Sequence, residues 1–338
     1  MLPPLRFHAL YKARAWGPQP DASRLARLGK EGLPLARTGE SWEIADLPDE
    51  IEFGQSSVLG GPLDGCTLRS LRASRSPELI GRARPAPDGA FPLLVKFLDA
   101  AENLSVQVHP DERFAASHPG AHLKTEAWVV IEADRDARVY RGIRASTTPG
   151  EFRRAIDEGR VLEHLESFAV SAGDCVYLPS GICHALGAGI LAAEIQTPSD
   201  TTFRVWDWWR NDPRRPLHLS EALECMRFGA AQEDATAPIV RIAEAPFVES
   251  QGIVTRRLCR TAYFSIDCLD AARDSEIPVS PTGVPEVWMT LDAECRWYTA
   301  SGVVSAPRGT TVLRPAEVEP GIVRLAAGSR VLRATCAT

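Results

Sequence analysis

Short apolar runs, each closed by a turn, constrain this chain more than any other feature. LSVQVHP, EAWVVIEA, ILAAEIQTP, GIVTRRLCR, YFSIDCL and RVLRATC are separated by glycine and proline, which number 25 and 26. Runs of this length, with turn punctuation and no heptad or helical repeat, build antiparallel sheets that stack as a β-sandwich or jelly roll. At 338 residues and 44% hydrophobic, the chain can bury cores for about two domains. The loop GAAQEDATAP (229–238) is the best linker, which gives units 1–228 and 239–338. The first unit opens irregularly, with one helix near 67–74 and a strand at GESWEI (39–44). Asp111 caps a short helix. Thr148-Pro149-Gly150-Glu151 opens a helical segment near 149–158, and Ser220-Glu221 starts another. The fold class is therefore mainly β, with short helices. Further strands are expected at FPLLVKFLDA, ESFAVSAGDCVYLPSG, TTFRVWDWW, IVRIAEA, VPEVWMTL and GTTVLRP.

Charge and cysteine usage narrow the function classes. A net charge of −6 argues against a nucleic-acid surface. No apolar run reaches the roughly 18 residues of a membrane helix, and the N-terminal MLPPLRFHALYKARAWG lacks an apolar signal core. The eight cysteines show no C-x-x-C spacing and read as reduced, mostly buried thiols of a cytoplasmic protein. Cys183, beside His184, would face away from it on a strand and is read as packing.

Four residues stand out as metal ligands. Gln107 and His109 alternate on one strand and so share a face. Glu126 opens the next strand, and His184 follows the turn Leu178-Pro179-Ser180-Gly181. An amide oxygen, two imidazoles and a carboxylate suit zinc or a neighbouring divalent metal, and leave a position open for water or substrate. His8, His118, His122, His164 and His218 have no such context and read as ordinary. Only four of the 38 basic residues are lysines, and two of them, Lys96 and Lys124, fall inside the metal-bearing segments. Lysine offers a point charge that can exchange a proton, which arginine cannot. Gly187-Ala188-Gly189 opens a strand rather than a helix, which argues against a dinucleotide site.

GESWEI, FPLLVKFLDA, LSVQVHPD, KTEAW and GDCVYLPSGICHALGAGILAAEIQTPSDTTFRVWDW together resemble the short bacterial form of the type I phosphomannose isomerases. The resemblance covers about two thirds of the chain. It implies two cupin-type jelly rolls with a small helical insertion, only the first carrying zinc, on Gln107, His109, Glu126 and His184. It also implies reversible conversion of mannose 6-phosphate to fructose 6-phosphate through a cis-enediol, with Lys96, Ser105, Lys124, Glu194 and Arg204 in the active site and Asp200 nearby. The chain departs from longer family members at Leu186, where they have tyrosine, and diverges after residue 225.

Each of these roles has a plainer alternative. Glu194 is a base or proton shuttle, or a carboxylate paired with Lys124 or Arg204; Lys124 is a rival for the proton, and the sequence does not rank the two. Arg204 binds phosphate through its planar fork, or pairs with Asp200. Ser105 and Lys96 complete the phosphate pocket, or pack. Glu40, Trp42 and Glu43 are expected along the same cleft, whereas Phe203, Val205, Trp206, Trp208 and Trp209 read as core rather than a sugar-stacking surface. Rival functions are an isomerase of another aldose, a catalytically silent sugar-phosphate-binding cupin and an iron-dependent dioxygenase. A monomer or weak homodimer is expected.

Overall fold

The computed structural model describes residues 1–229 and 239–338. Two jelly rolls follow one another and share one topology. In the first, a six-stranded sheet runs Leu10–Ala13, Thr38–Ile44, Leu94–Ala100, Ile190–Gln196, Glu126–Ala133, Cys175–Leu178. It faces a five-stranded sheet of Phe203–Trp206, Val106–Val108, His184–Leu186, Arg138–Ile143 and Leu165–Ala169. The second roll repeats this order in a seven-stranded sheet, extended at one edge by Leu5–Arg6, and in a four-stranded sheet without a counterpart of Phe203–Trp206. Among the described residues the named strands all pair antiparallel, and only the isolated bridge Leu2–Val318 is parallel. The mainly β, two-roll cupin architecture expected from the sequence is thus present.

Side-chain alternation divides each strand between two cores. Leu98, Trp128, Val130 and Ala192 point into the first roll. Val95, Phe97, Val129 and Ala193 point outward and join Ile266, Cys268, Met289 and Leu332 of the second roll in one buried cluster. The large sheets of the two rolls therefore pack on each other. Leu5–Arg6 reinforces the join by pairing with Val312–Leu313, so the first residues of the chain complete the second roll.

The helices sit where their caps put them. Leu68–Leu79 starts on Thr67, whose side chain accepts from the Ser70 N–H, and runs past the expected end through a kink at Arg75 before Pro77. Glu112–Ser117 starts on Asp111, and Pro149–Asp157 has a full capping box of Thr148 and Glu151. Leu219–Cys225 covers the five-stranded sheet, packing Ala222 and Cys225 into its core. The expected linker lies, apart from Gly229, outside the described residues. The expected strand IVRIAEA makes only the bridge Val240–Cys175, because Arg241 turns out to pair with Asp174 while Ile242 packs back on the core. The eight cysteines are free, and all but Cys66 are buried. Among the described residues no helix is long and apolar enough to cross a membrane.

Candidate metal centre and active-site cleft

Strand register brings the candidate ligands together. His184 lies directly opposite Gln107, and Arg204 faces Gln107 from the other side. Glu126 is brought in at the end of the neighbouring sheet, opposite Gln196. His109 Nε2 and His184 Nε2 stand 3.4 and 3.3 Å from the two carboxylate oxygens of Glu126. Both imidazoles are anchored by their other nitrogen, His109 Nδ1 to the Thr201 carbonyl at 3.1 Å and His184 Nδ1 to the Ile182 carbonyl at 2.8 Å. Donation from Nδ1 leaves a lone pair on each Nε2, aimed at the carboxylate.

Lone pairs facing lone pairs in a dry site require a cation. His109 Nε2 and both Glu126 oxygens are buried without a hydrogen-bond partner, and the one cation beside them, Lys124 Nζ at 3.1 Å from Glu126 Oε2, does not meet the imidazole lone pairs. Donor atoms about 2.0–2.1 Å from a tetrahedral centre stand about 3.3–3.4 Å apart, which matches the spacing seen. The residues present therefore fit a divalent metal. Burial, then the Lys124 charge, lowers the His109 pKa to about 3 against the pull of Glu126, so the ring is neutral, as a ligand must be. Burial would raise Glu126, but the Lys124 ammonium holds it well below the usual carboxylate range. Gln107 turns its amide nitrogen to His184 Nε2 at 3.5 Å while its oxygen accepts from the Ser105 hydroxyl at 3.0 Å. A half-turn of the carboxamide exchanges the two and presents oxygen to the metal.

Above the ligands opens a cleft of about 590 Å³. Lys96, Ser105, Lys124, Glu194 and Arg204 all line it, as do Gln107, Glu40 and Asp200. Lys124 Nζ sits 3.1 Å from Glu126 and so belongs to the metal end. Glu194 pairs with neither Lys124 nor Arg204. Its partners are Lys96 Nζ at 3.0 Å and the Trp128 indole N–H at 2.9 Å, both directly opposite it in the sheet. Burial opposes the Lys96 charge, but Glu194, Glu40 and Asp200 outweigh it and hold the ammonium pKa above its usual value. Burial likewise opposes ionised Glu40, yet Arg14 and Lys96 bring it down to about 2.

Five arginines line the cleft, and four hold carboxylates: Arg14 on Glu40, Arg37 on Glu102, Arg214 on Asp212 and Arg215 on Asp207. Among the described residues Arg204 forms no ion pair, with Asp200 or any other carboxylate. Its guanidinium donates only to the Pro216 carbonyl at 2.9 Å, and its Nε is buried without a partner. Burial, then Arg215, lowers its pKa.

Some expectations shift. Glu43 points to the opposite face from Glu40, where it pairs with Lys30 at 2.7 Å, so it does not line the cleft. Val205 and Trp206 are buried in the core and Phe203 and Trp208 pack against them, but Trp209 is 62% exposed. Cys183 is buried, and burial pushes its thiol up, as a packing residue's would be. Arg14 escaped the sequence reading because one arginine in so arginine-rich a chain carries no local mark, and its partner Glu40 is distant in sequence.

A model of the type I phosphomannose isomerase catalytic domain matches residues 5–139. The mannose-6-phosphate isomerase ManA of Bacillus subtilis is 38% identical over 267 residues, 78% of each chain. The mannose-6-phosphate isomerase of Streptococcus mutans is 35% identical over 79% of this chain and 78% of its own. Among solved structures, the mannose 6-phosphate isomerase of Bacillus subtilis superposes with a TM-score of 0.83 at 26% identity, over 98% of this chain and 99% of the other. A putative mannosephosphate isomerase from Archaeoglobus fulgidus shares the fold, with a TM-score of 0.74 at 20% identity over 100% and 99% of the two chains.

Proposed function

Because this chain belongs to the type I phosphomannose isomerase family, we propose that the cleft interconverts mannose 6-phosphate and fructose 6-phosphate through a cis-enediol. It is a metal-dependent aldose–ketose isomerase. The ligands are Gln107, His109, Glu126 and His184, and zinc is the metal that best suits their N/O set. When bound, the cation polarises the substrate's carbonyl and hydroxyl oxygens as a Lewis acid. Lys124, tied to the metal end by Glu126, holds O1 or O2 by charge. Glu194 moves the proton between C1 and C2, its carboxylate oriented by Lys96 and Trp128. Ser105 and Lys96 border the substrate.

The single observation that carries this reading is the unpaired Arg204, the one cleft arginine among the described residues left to receive a dianion. The second roll, 239–338, is metal-free on this view. Its strand Glu286–Asp292 corresponds to Glu126–Ala133, but Glu286 meets Arg314 Nη1 at 2.7 Å and the Trp288 indole at 2.8 Å, so an arginine supplies the cation. A cytoplasmic monomer or weak homodimer acting on sugar phosphates completes the proposal.

The test is a coupled assay for fructose 6-phosphate from mannose 6-phosphate, run with and without chelator. Turnover that survives full metal removal would refute the reading. His184→Ala should lose both metal and turnover; full occupancy by elemental analysis in that variant would remove His184 from the ligand set.

A further inference from the structure

Trp42, Lys96, Glu194 and Trp128 lie directly opposite one another on four adjacent strands and so form one straight row across the six-stranded sheet. Lys96 occupies the middle of the row between two carboxylates. On one side is Glu194 at 3.0 Å. On the other side is Glu40, two residues before Trp42 on its strand; it accepts from the Trp42 indole at 2.6 Å, while the Trp42 ring lies 5.0 Å from the Lys96 ammonium. All three charged groups are buried, with Glu40 8%, Lys96 3% and Glu194 4% exposed. One ammonium cannot serve two buried carboxylates equally, because each lost charge-assisted contact leaves a charge uncompensated in a dry site. The outer carboxylate has its own cation, since Arg14 grips Glu40 with two parallel bonds, Nε to Oε1 at 2.8 Å and Nη2 to Oε2 at 3.0 Å.

We propose that Arg14 is a positioning residue: by holding Glu40 bidentately it commits the Lys96 ammonium to Glu194 and fixes that carboxylate in the cleft. The kinetic consequence rests on the isomerase reading above; the structural one does not. Arg14 follows the Leu10–Ala13 strand, outside the row, and although it lines the cleft its fork is turned onto Glu40. Glu40 is second only to Glu194 among the charges that stabilise the Lys96 ammonium, which is why removing Arg14 gives Lys96 a competing partner.

Removing the competitor as well should undo the damage. Arg14→Met is expected to lower kcat for mannose 6-phosphate by about tenfold or more, with a smaller change in KM. Arg14→Met/Glu40→Gln is expected to recover kcat to within about threefold of wild type, a coupling that two independent contacts would not show. Crystal structures give a readout free of activity: Lys96 Nζ should sit on Glu40 in Arg14→Met and return to Glu194 in the double variant. The proposal is overturned if Lys96 stays on Glu194 in Arg14→Met, or if the double variant is no faster than the single one. A rise in KM alone, equal in both variants, would mean that Arg14 binds substrate directly and would overturn it too. Should Arg14→Met not fold, Arg14→Lys keeps a charge on Glu40: Lys96 on Glu194 and kcat within about tenfold of wild type are expected, and Lys96 on Glu40 would overturn the proposal. A wild-type protein that fails to isomerise mannose 6-phosphate counts against the isomerase reading alone, since the crystallographic arm still decides the role of Arg14.

Discussion

Glu194 carries a different donor on each oxygen, Lys96 at 3.0 Å and Trp128 at 2.9 Å, which locks its rotamer at the wall of the cleft. Glutamine at this position is nearly isosteric but cannot accept a proton, so Glu194→Gln should keep fold and metal while losing about 100- to 10,000-fold in turnover. A rate within roughly threefold of wild type, at full metal content, would pass the proton to Lys124. Arg204 makes the complementary case. It keeps no carboxylate, so Arg204→Lys retains charge but loses the fork. A fall of roughly 10- to 150-fold in kcat/KM for mannose 6-phosphate is expected, with a much smaller fall for any residual activity on free mannose. Equal losses on both substrates would place Arg204 on the reacting sugar or in the structure. Side-chain types and local spacing in the sequence pointed to the His109, Glu126 and His184 cluster, with Gln107 opposite His184. The partners of Glu194 were not legible, since cross-strand neighbours far apart in sequence leave no local pattern.

Strands were legible where one face is apolar and where turn residues bound them, as in Glu126–Ala133 and Ile190–Gln196. Hairpins rich in polar residues went unseen, including Arg138–Ile143 with its arginines and Glu294–Thr299 with Gly302–Pro307. Ser275–Val279 carries Pro278, which speaks against a strand until the pairing is known. The kinked helix Leu68–Leu79 shows how an element gains its place from a single buried group. Asp46, fully buried, accepts from Arg69 Nε at 3.1 Å, Arg72 Nε at 2.9 Å and the Phe91 N–H at 3.0 Å, tying the helix to the end of the Thr38–Ile44 strand. Asp46→Asn removes the charge and turns one acceptor into a donor facing two guanidinium groups. A loss of about 3–5 kcal/mol is expected, as for a broken buried ion pair. Urea unfolding measures it, and a change below about 1 kcal/mol would mean that the helix is held by Leu68 and Leu71 instead.

The two rolls share one strand order, and their large sheets pack on each other. The face of the first roll's large sheet that bears Val95, Phe97, Val129 and Ala193 is buried against Ile266, Met289 and Leu332 of the second, in a cluster that also takes in Leu68 and Leu71. Leu2 and Leu5–Arg6 cross over to pair with the second roll, so each half contributes backbone or side chains to the other's integrity. Apolar surface buried this way couples the stabilities of the halves, because unfolding either one exposes the shared face to water. Met289 is fully buried on that face and lies in the second roll, on a strand that carries no proposed ligand. Met289→Ala should cost about 2–5 kcal/mol through lost burial and the cavity left behind. Coupling also predicts how the loss appears. Metal release, which reports the first roll, and loss of strand circular dichroism, which reports both, should shift together to lower denaturant as one transition. If the second roll melts early while the metal centre persists to its wild-type midpoint, the rolls are independent domains, and the shared core serves only to bring them together.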